Sequence, residues 1–385
     1  MKFKLIPLLL FITISAFAQN IHFAHRMVRK LSSRRFWGRG YTKDGMHKAE
    51  AFLIKQFEKY GVAPMDSGKY DQVFSYPVNT FPGKMELAIN GISLKPGRDF
   101  ILSADSRGFK GNVKLEKNDT NRFIDMKDRV IVVKRAKLTF SAERKVSNYT
   151  GIILDESLQK ETPDSINADI ENKFIPDFKT ANICGVVKGT EKPDSIIVYT
   201  AHYDHLGGLG NKTYFPGAND NASGVTQVLG LAKYYAAHPP PYTMAFILFS
   251  GEEAGLLGSK YFTEHPLIPL KNIRFLVNLD LEGTGVDGIT VVNATVFPNE
   301  FNLLKKVNDE GKFLVKINSR GKAPNSDHYY FSEKGVPAIY WYTLGGIKAY
   351  HDIYDKSKTL PLTVYENMFK LILKFNDRLM NKTRD

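Results

Sequence analysis

The chain has 385 residues, of which 43% are hydrophobic and 24% charged, and its formal net charge at pH 7 is +13. These values exclude a disordered, collagen-like or coiled-coil chain and predict a sizeable hydrophobic core. The single cysteine, Cys184, excludes an intrachain disulfide and a cysteine-based metal cluster, so a metal site would have to use His, Asp and Glu. Basic residues are spread along the chain with acidic ones between them and form no recognised nucleic-acid motif, which predicts a solvated basic surface without a nucleic-acid partner.

The first 18 residues predict a secretory signal peptide. Residues 1–4 carry the basic Lys2 and Lys4, Leu5 to Phe17 is apolar, and Ala16 to Ala18 fits a small-x-small cleavage site, with cleavage after Ala18. The apolar run is too short to span a membrane, and no later run is long enough. We therefore expect a secreted or periplasmic protein without a membrane span.

Residues 19–67 form a predicted helical N-terminal part, with helices over 21–36 and 46–60 and a stop at Gly61. Residues 68–190 form a predicted β-rich insert, because short strand-like runs alternate there with turn residues. Its clearest predicted elements are the strands Val113 to Leu115, Val130 to Val133 and Gly151 to Leu154 and a short helix over Ala136 to Lys145.

Residues 191–385 form a predicted core in which strands alternate with helices. Predicted strands are Ser195 to Thr200, Met244 to Phe249, Phe275 to Leu279 and Ala338 to Tyr342, and predicted helices cover 222–237, 299–310 and 361–380. This alternation predicts an α/β fold, with a mostly parallel central sheet and helices on both faces.

Side chains that can bind a metal ion or transfer a proton lie just after each of these strands. His202 and Asp204 come after the first strand, Glu252-Glu253 after the second, Asp280 ends the third, Asp220 precedes the helix at 222, and Tyr350-His351 follows the fourth. In open α/β sheets, ligands bind outside the carboxyl ends of the strands, so we expect these residues to meet at one edge.

The residue types suit amide hydrolysis by two metal ions. Two metals about 3.5–4 Å apart activate a water and polarise a carbonyl. A bridging carboxylate offsets their repulsion, each metal needs a histidine and a further carboxylate, and a free carboxylate must move the water's proton. Taken singly, the residues have simpler readings. Asp220 is also a plausible helix cap, whereas a carboxylate at Asp280, inside an apolar run, is costly unless it is paired or binds a metal.

The chain resembles the co-catalytic zinc exopeptidases that include bacterial secreted leucine aminopeptidases and glutamate carboxypeptidase II. The matching stretches, in the order found in that family, are Ala201-His-Tyr-Asp-His-Leu-Gly207, Gly217-Ala-Asn-Asp-Asn-Ala-Ser-Gly224, Gly251-Glu-Glu-Ala-Gly-Leu-Leu-Gly-Ser259, Asn278-Leu-Asp-Leu281, Ser326-Asp-His328 and Tyr350-His-Asp-Ile-Tyr-Asp355.

The resemblance implies two zinc ions per chain. His202 and Asp280 would bind one, Glu253 and His351 the other, and Asp220 would bridge them. Glu252 would be the general base and acid. The remaining implied roles are supporting ones. Asp204 would orient the ring of His202, and Tyr350 would hydrogen-bond the oxyanion, with Tyr340 and Tyr342 as alternatives. Asp327 would assist, and His205 and His328 would be structural or lie behind the ligands.

The function implied is a secreted zinc aminopeptidase that removes N-terminal residues from peptides by means of a metal-activated water. Other possibilities are a single-zinc enzyme like glutaminyl cyclase, a carboxypeptidase or dipeptidase on the same scaffold, and a non-catalytic binding relative. The insert faintly resembles a protease-associated domain, and the alternative is an unrelated lid that narrows substrate access. The sequence does not predict the oligomeric state or the residue specificity.

Overall fold

The computed structural model describes residues 20–381, so the predicted signal peptide lies outside the described residues. Within that range, no helix is both long and apolar enough to cross a membrane.

The helices of the described chain are α1 (Ile21–Leu31), α2 (Gly45–Tyr60), α3 (Gly224–Ala237), α4 (Leu257–Glu264), α5 (Pro298–Gly311), α6 (His328–Glu333) and α7 (Tyr365–Asn381). The strands are β1 (Ala63–Pro64), β2 (Asp71–Thr80), β3 (Met85–Ile89), β4 (Ile92–Ser93), β5 (Phe100–Leu102), β6 (Phe109–Lys114), β7 (Glu116–Asp119), β8 (Arg122–Asp125), β9 (Val130–Arg135), β10 (Thr150–Asp155), β11 (Ser165–Ile170), β12 (Lys173–Val187), β13 (Lys192–His202), β14 (Gly208–Leu209), β15 (Thr213–Tyr214), β16 (Tyr242–Phe249), β17 (Ile273–Leu279), β18 (Ile289–Val292), β19 (Ile317–Ser319) and β20 (Ala338–Thr343).

A nine-stranded sheet forms the centre of the molecule. Its order is β1-β12-β16-β13-β17-β20-β18-β19, and β2 also pairs with β12. The four inner strands β16, β13, β17 and β20 are mutually parallel, and antiparallel pairs flank them on both sides. These four are the strands predicted from the sequence, and their parallel arrangement confirms the predicted α/β fold class.

Apolar side chains alternate between the two faces of this sheet, because successive residues of a strand point in opposite directions. In β13, Ile197 and Tyr199 join the larger core cluster, which α1, α2, α3, α5 and α7 cover. Ile196 and Val198 join a smaller cluster with Phe262 of α4 and Phe331 of α6. Helices therefore cover both faces, as a largely parallel sheet requires.

Local signals explain where the first helices begin and end. Asn20 caps α1, since its side chain accepts a hydrogen bond from the His22 amide at 2.9 Å. The helix predicted over 21–36 is too long: α1 ends at Leu31, and a 3₁₀ segment with left-handed backbone at Trp37 follows over Arg34–Arg39. Helix α2 stops at Gly61, whose φ of 77° is readily adopted by glycine.

The region predicted as a β-rich insert contains two small sheets, β5-β10-β9-β8-β7 and β4-β3-β11-β6. The long strands β2 and β12 at its two ends pair with each other, and β12 continues into the central sheet. Its apolar core also takes in Leu206, Leu209 and Phe215 from the stretch of chain that follows β13. The boundaries 68 and 190 stay a prediction.

The helix predicted over Ala136 to Lys145 is wrong. These residues form neither helix nor strand. The Phe140 amide donates to the carbonyl of His351, and the Glu143 carbonyl accepts from the Asn79 amide, at 2.9 and 2.8 Å. Hydrogen bonds to distant segments therefore replace the i to i−4 bonds that a helix would need.

Candidate metal centre

The carboxyl ends of the four parallel strands bring the predicted ligands together. His202 is the last residue of β13, Glu252 and Glu253 lie in the loop after β16, and Asp280 directly follows β17. His351 lies in the loop after β20, and Asp220 lies in the irregular turn Ala218–Ser223 before α3. Parallel strands point their carboxyl ends to the same edge, so residues separated by as many as 149 positions, from 202 to 351, meet there.

Asp220 occupies the middle of the cluster. Its Oδ1 lies 3.3 Å from Nε2 of His202, and that nitrogen is 3.4 Å from Oδ1 of Asp280. Its Oδ2 lies 3.0 Å from Nε2 of His351, which is 3.2 Å from Oε2 of Glu253. Each oxygen of Asp220 therefore faces a different pair made of one histidine and one carboxylate.

These spacings fit metal coordination. With ligand bonds of about 2.0–2.1 Å, neighbouring ligand atoms in a tetrahedral zinc site lie about 3.3 Å apart. The four distances around Asp220 bracket that value. Moreover, Nε2 of His202 and Oδ1 of Asp280 are buried and have no hydrogen-bond partner among the described residues. Such groups are costly to bury unless a ligand takes up their lone pairs, which a metal ion would do.

The cluster has an excess of negative charge. Burial lowers the pKa of His351, but the nearby carboxylates of Glu253 and Asp220 have the larger combined effect and raise it to about 11. Burial raises the pKa of Asp280, and the nearby His202 offsets this only in part. The four carboxylates of Asp220, Glu252, Glu253 and Asp280 outnumber the three imidazoles beside them, those of His202, His205 and His351, so the site attracts added positive charge of the kind that divalent metal ions supply.

Glu252 differs from the other carboxylates of the site. Burial and the neighbouring carboxylates of Glu253, Asp327 and Asp280 raise its pKa well above the usual value for a glutamate. One of its oxygens lies within 4.8 Å of a His202 nitrogen and of a Glu253 oxygen. It is thus beside both histidine–carboxylate pairs without belonging to either, a position suited to proton transfer.

Asp204 supports the site in a way that the sequence did not indicate. Its Oδ1 lies 3.7 Å from Nδ1 of His202, too far for a hydrogen bond, whereas its main-chain carbonyl lies 3.2 Å from that nitrogen. The carboxylate instead accepts the backbone amides of Glu252 and Glu253, at 3.2 and 3.3 Å. Asp204 therefore orients His202 through its backbone and the two glutamates through its side chain.

Arg39 and Asp355 hold the turn that carries Asp220, and sequence reasoning missed both roles. The fully buried Arg39 guanidinium donates to five main-chain carbonyls, those of Leu31, Tyr203, Pro216, Gly217 and Asp220, at 2.8–3.2 Å. Asp355 accepts the amides of Asn219 and Asp220 at 2.8–3.0 Å. Only the position of Asp355 inside a matched stretch hinted at its importance.

Two tyrosines approach the cluster. Tyr350 is 42% exposed, and its ring stacks on that of His351 with centroids 4.0 Å apart. Tyr340 is buried, and its pKa is raised by burial and by the carboxylates of Asp280 and Glu252. Both residues have the charged cluster as a neighbour, so the alternative between Tyr350 and Tyr340 stays open. Tyr342 contacts Tyr340, with ring centroids 5.5 Å apart.

The remaining candidates lie behind the ligands. Nδ1 of His205 is 2.6 Å from Oε1 of Glu253, so this histidine supports that carboxylate. Asp327 is fully buried, and burial raises its pKa to about 7. His328 is buried against the ring of Tyr340, and burial lowers its pKa to about 4.

A largely parallel sheet with a carboxylate–histidine cluster at its carboxyl edge is an α/β scaffold with a candidate metal-binding site. The sequence profile of peptidase family M28 matches residues 182–376, just over half of the chain. The chain therefore belongs to peptidase family M28, which consists of co-catalytic zinc exopeptidases, and the predicted resemblance is confirmed.

Individual relatives agree with this assignment. The chain is 29% identical over 174 residues to the aminopeptidase YwaD of Bacillus subtilis (strain 168), a match that covers 44% of this chain and 37% of that protein. The matched region therefore spans little more than a third of this curated relative.

Solved structures share the fold over nearly the whole length. BSAP, a zinc aminopeptidase from Bacillus subtilis, superposes with a TM-score of 0.68 at 18% identity, covering 93% of this chain and 94% of that one. An M28 peptidase precursor from Shewanella amazonensis SB2B gives a TM-score of 0.71 at 16% identity, covering 96% and 95%. At these identities the likeness concerns the fold.

Proposed function

We propose that the protein is a zinc aminopeptidase that holds two zinc ions per chain and removes N-terminal residues from peptides. The observation that carries this proposal is the placement of the two oxygens of Asp220, each facing its own histidine–carboxylate pair. Family membership and the aminopeptidase names of similar proteins support the choice of reaction.

The proposed ligands are His202 and Asp280 for one ion and Glu253 and His351 for the other, with Asp220 shared. When bound, two zinc ions supply a water of lowered pKa and a polarised substrate carbonyl. The residues of the chain then carry out the proton transfers. Glu252 takes the proton of the attacking water and returns it to the leaving amine, since it is the carboxylate left free by both ligand sets. A hydroxyl of Tyr350 or Tyr340 donates a hydrogen bond to the developing oxyanion.

Replacing Glu252 with Gln tests this assignment. The variant keeps the size of the side chain but cannot accept a proton, so kcat should fall about 10²- to 10⁴-fold while two zinc ions per chain are retained. Glu253→Gln should instead lose zinc, and Glu264→Gln, an exposed position in α4, should leave both kcat and zinc content unchanged. Near wild-type kcat in Glu252→Gln would exclude Glu252 as the base.

A substrate panel separates the alternatives. The proposal predicts hydrolysis of free aminoacyl substrates, loss of activity on N-blocked ones, and loss with chelator. Release of C-terminal residues would favour a carboxypeptidase, and cleavage of dipeptides alone a dipeptidase. One zinc per chain together with cyclisation of N-terminal glutamine would indicate a glutaminyl cyclase. Tight ligand binding without zinc or turnover would indicate a non-catalytic relative.

We also propose that the protein is exported, on the basis of the basic, apolar and small-residue pattern of residues 1–18. Sequencing the N-terminus of the protein made in its own host tests this. Export predicts a start at Gln19, and a cytoplasmic protein that retains Met1 would contradict it.

A further inference from the structure

The segment between β9 and β10 crosses from the predicted insert to the metal centre. Residues 136–143, which we call the crossing segment, follow β9 directly and form neither helix nor strand. They lie against the loop 348–352, which carries Tyr350 and His351. The contacts between them are made by Lys137 and Phe140.

Phe140 makes a reciprocal pair of hydrogen bonds with His351. Its amide donates to the carbonyl of His351 at 2.9 Å, and its carbonyl lies 3.0 Å from Nδ1 of the His351 ring. Because a carbonyl can only accept, Nδ1 must carry the proton. Nε2, the nitrogen that faces Asp220 and Glu253, is then the ring nitrogen left to bind a metal ion.

The other proposed histidine ligand is held differently. Nδ1 of His202 lies 3.2 Å from the carbonyl of Asp204, two residues beyond the end of β13. Of the two histidines, His351 therefore depends on the crossing segment, whereas His202 depends on the central sheet and its adjoining loop.

Lys137 fixes the same loop from the side. Its Nζ donates to the Lys348 carbonyl at 3.0 Å and lies 3.6 Å from Oδ2 of Asp352. Asp352 in turn accepts the amides of Tyr350 and Tyr354, at 3.3 and 2.8 Å. Lys137 is thereby linked to both ends of the Tyr350-His351 pair.

The loop needs such support. His351 has a φ of 54°, a left-handed backbone that a histidine adopts only when neighbouring contacts hold it there. The crossing segment is itself anchored, because the ring of Phe140 stacks on the buried ring of Phe215, with centroids 4.9 Å apart.

We infer that the crossing segment is a positioning element of the metal centre, in which the Phe140 carbonyl fixes the ring of His351 and Lys137 fixes its loop. The predicted insert is then part of the active centre and acts selectively on the ion held by His351 and Glu253. This inference rests on the two-metal site proposed above.

Zinc titration of the metal-free protein by calorimetry tests the inference without any peptide substrate. Outer partners of a ligand typically contribute 10- to 100-fold to metal affinity. Phe140→Ala keeps the main-chain carbonyl but removes the ring that anchors the crossing segment on Phe215. Lys137→Met removes the contacts with Lys348 and Asp352. In each variant, one of the two zinc-binding steps should weaken by about tenfold while the other keeps its wild-type affinity. Lys137→Arg should restore the weakened step, and Lys145→Met, an exposed lysine two residues beyond the crossing segment, should match the wild type.

Other results would overturn the inference. The inference would be wrong if both zinc-binding steps were unaltered in both variants. It would also be wrong if both steps weakened equally and the unfolding temperature fell, since this combination indicates a purely structural role. If Phe140→Ala fails to fold, the half-exposed Lys137 decides alone. A wild-type protein that binds one zinc or none refutes the two-metal site itself, whereas two wild-type steps with unaffected variants refute only the role of the crossing segment.

Discussion

Arg39 offers a sharp test of how the Asp220 turn is held. Its five N–H groups meet five carbonyls, and these come from three separate stretches of chain. Lysine has only three donors, so Arg39→Lys leaves at least two buried carbonyls without this partner.

The structure allows a rough magnitude. Each buried acceptor left unsatisfied costs about 1–3 kcal/mol. The Gly217 carbonyl keeps a second partner, the amide of Ala222 at 3.3 Å, so the lower half of the range applies. We therefore expect Arg39→Lys to lower the free energy of unfolding by about 2–4 kcal/mol.

Urea unfolding of the metal-free protein measures this loss. Working in chelator separates the support of the turn from any stabilisation by bound zinc. Arg35→Lys is the matched control, because Arg35 is exposed on the same segment and should change the free energy of unfolding by less than about 0.5 kcal/mol. If Arg39→Lys unfolds at the same urea concentration as Arg35→Lys, the five bonds do not hold the turn as argued.

Two further predictions concern Asp355 and His328. Asp355→Asn removes the negative charge of the side chain that accepts hydrogen bonds from the Asn219 and Asp220 amides. Zinc affinity, measured in a competition titration, should therefore fall about tenfold, and an unchanged affinity would refute this role. His328 is neutral in the folded protein down to pH about 4 but titrates near 6.5 when unfolded. The unfolded state therefore binds more protons between these values, so stability is fully present above pH 6.5 and is lost as pH falls towards 4. With chelator present, the wild type should lose about 1.6 kcal/mol more than His328→Gln between pH 6.5 and 5, and parallel curves would contradict this.

The sequence was sufficient for the central sheet and for the composition of the cluster. The strands around Val198, Ile247, Val277 and Ile339 are continuous apolar runs, because both faces of a parallel sheet are covered. Chemically active residues follow such runs directly, so their meeting at one edge follows from topology.

Contacts between distant segments could not be predicted in this way. Arg39 donates to carbonyls up to 181 residues away. Every residue has a main-chain carbonyl, so the sequence does not indicate which ones Arg39 contacts. The helix expected over Ala136 to Lys145 was wrong for the same reason, since the pairing of Phe140 with His351 overrides a weak local preference. Asp204 was predicted to orient the ring of His202, but the sequence did not indicate that its main-chain carbonyl lies at Nδ1 while its carboxylate accepts the amides of Glu252 and Glu253.

The shared role of Asp220 is most directly tested by an X-ray structure of the zinc-loaded protein with data collected at the zinc absorption edge. We predict two anomalous peaks about 3.5–4 Å apart, one beside His202 and Asp280 and the other beside Glu253 and His351, with one oxygen of Asp220 in contact with each. A single peak, or two peaks of which only one contacts Asp220, would contradict the account.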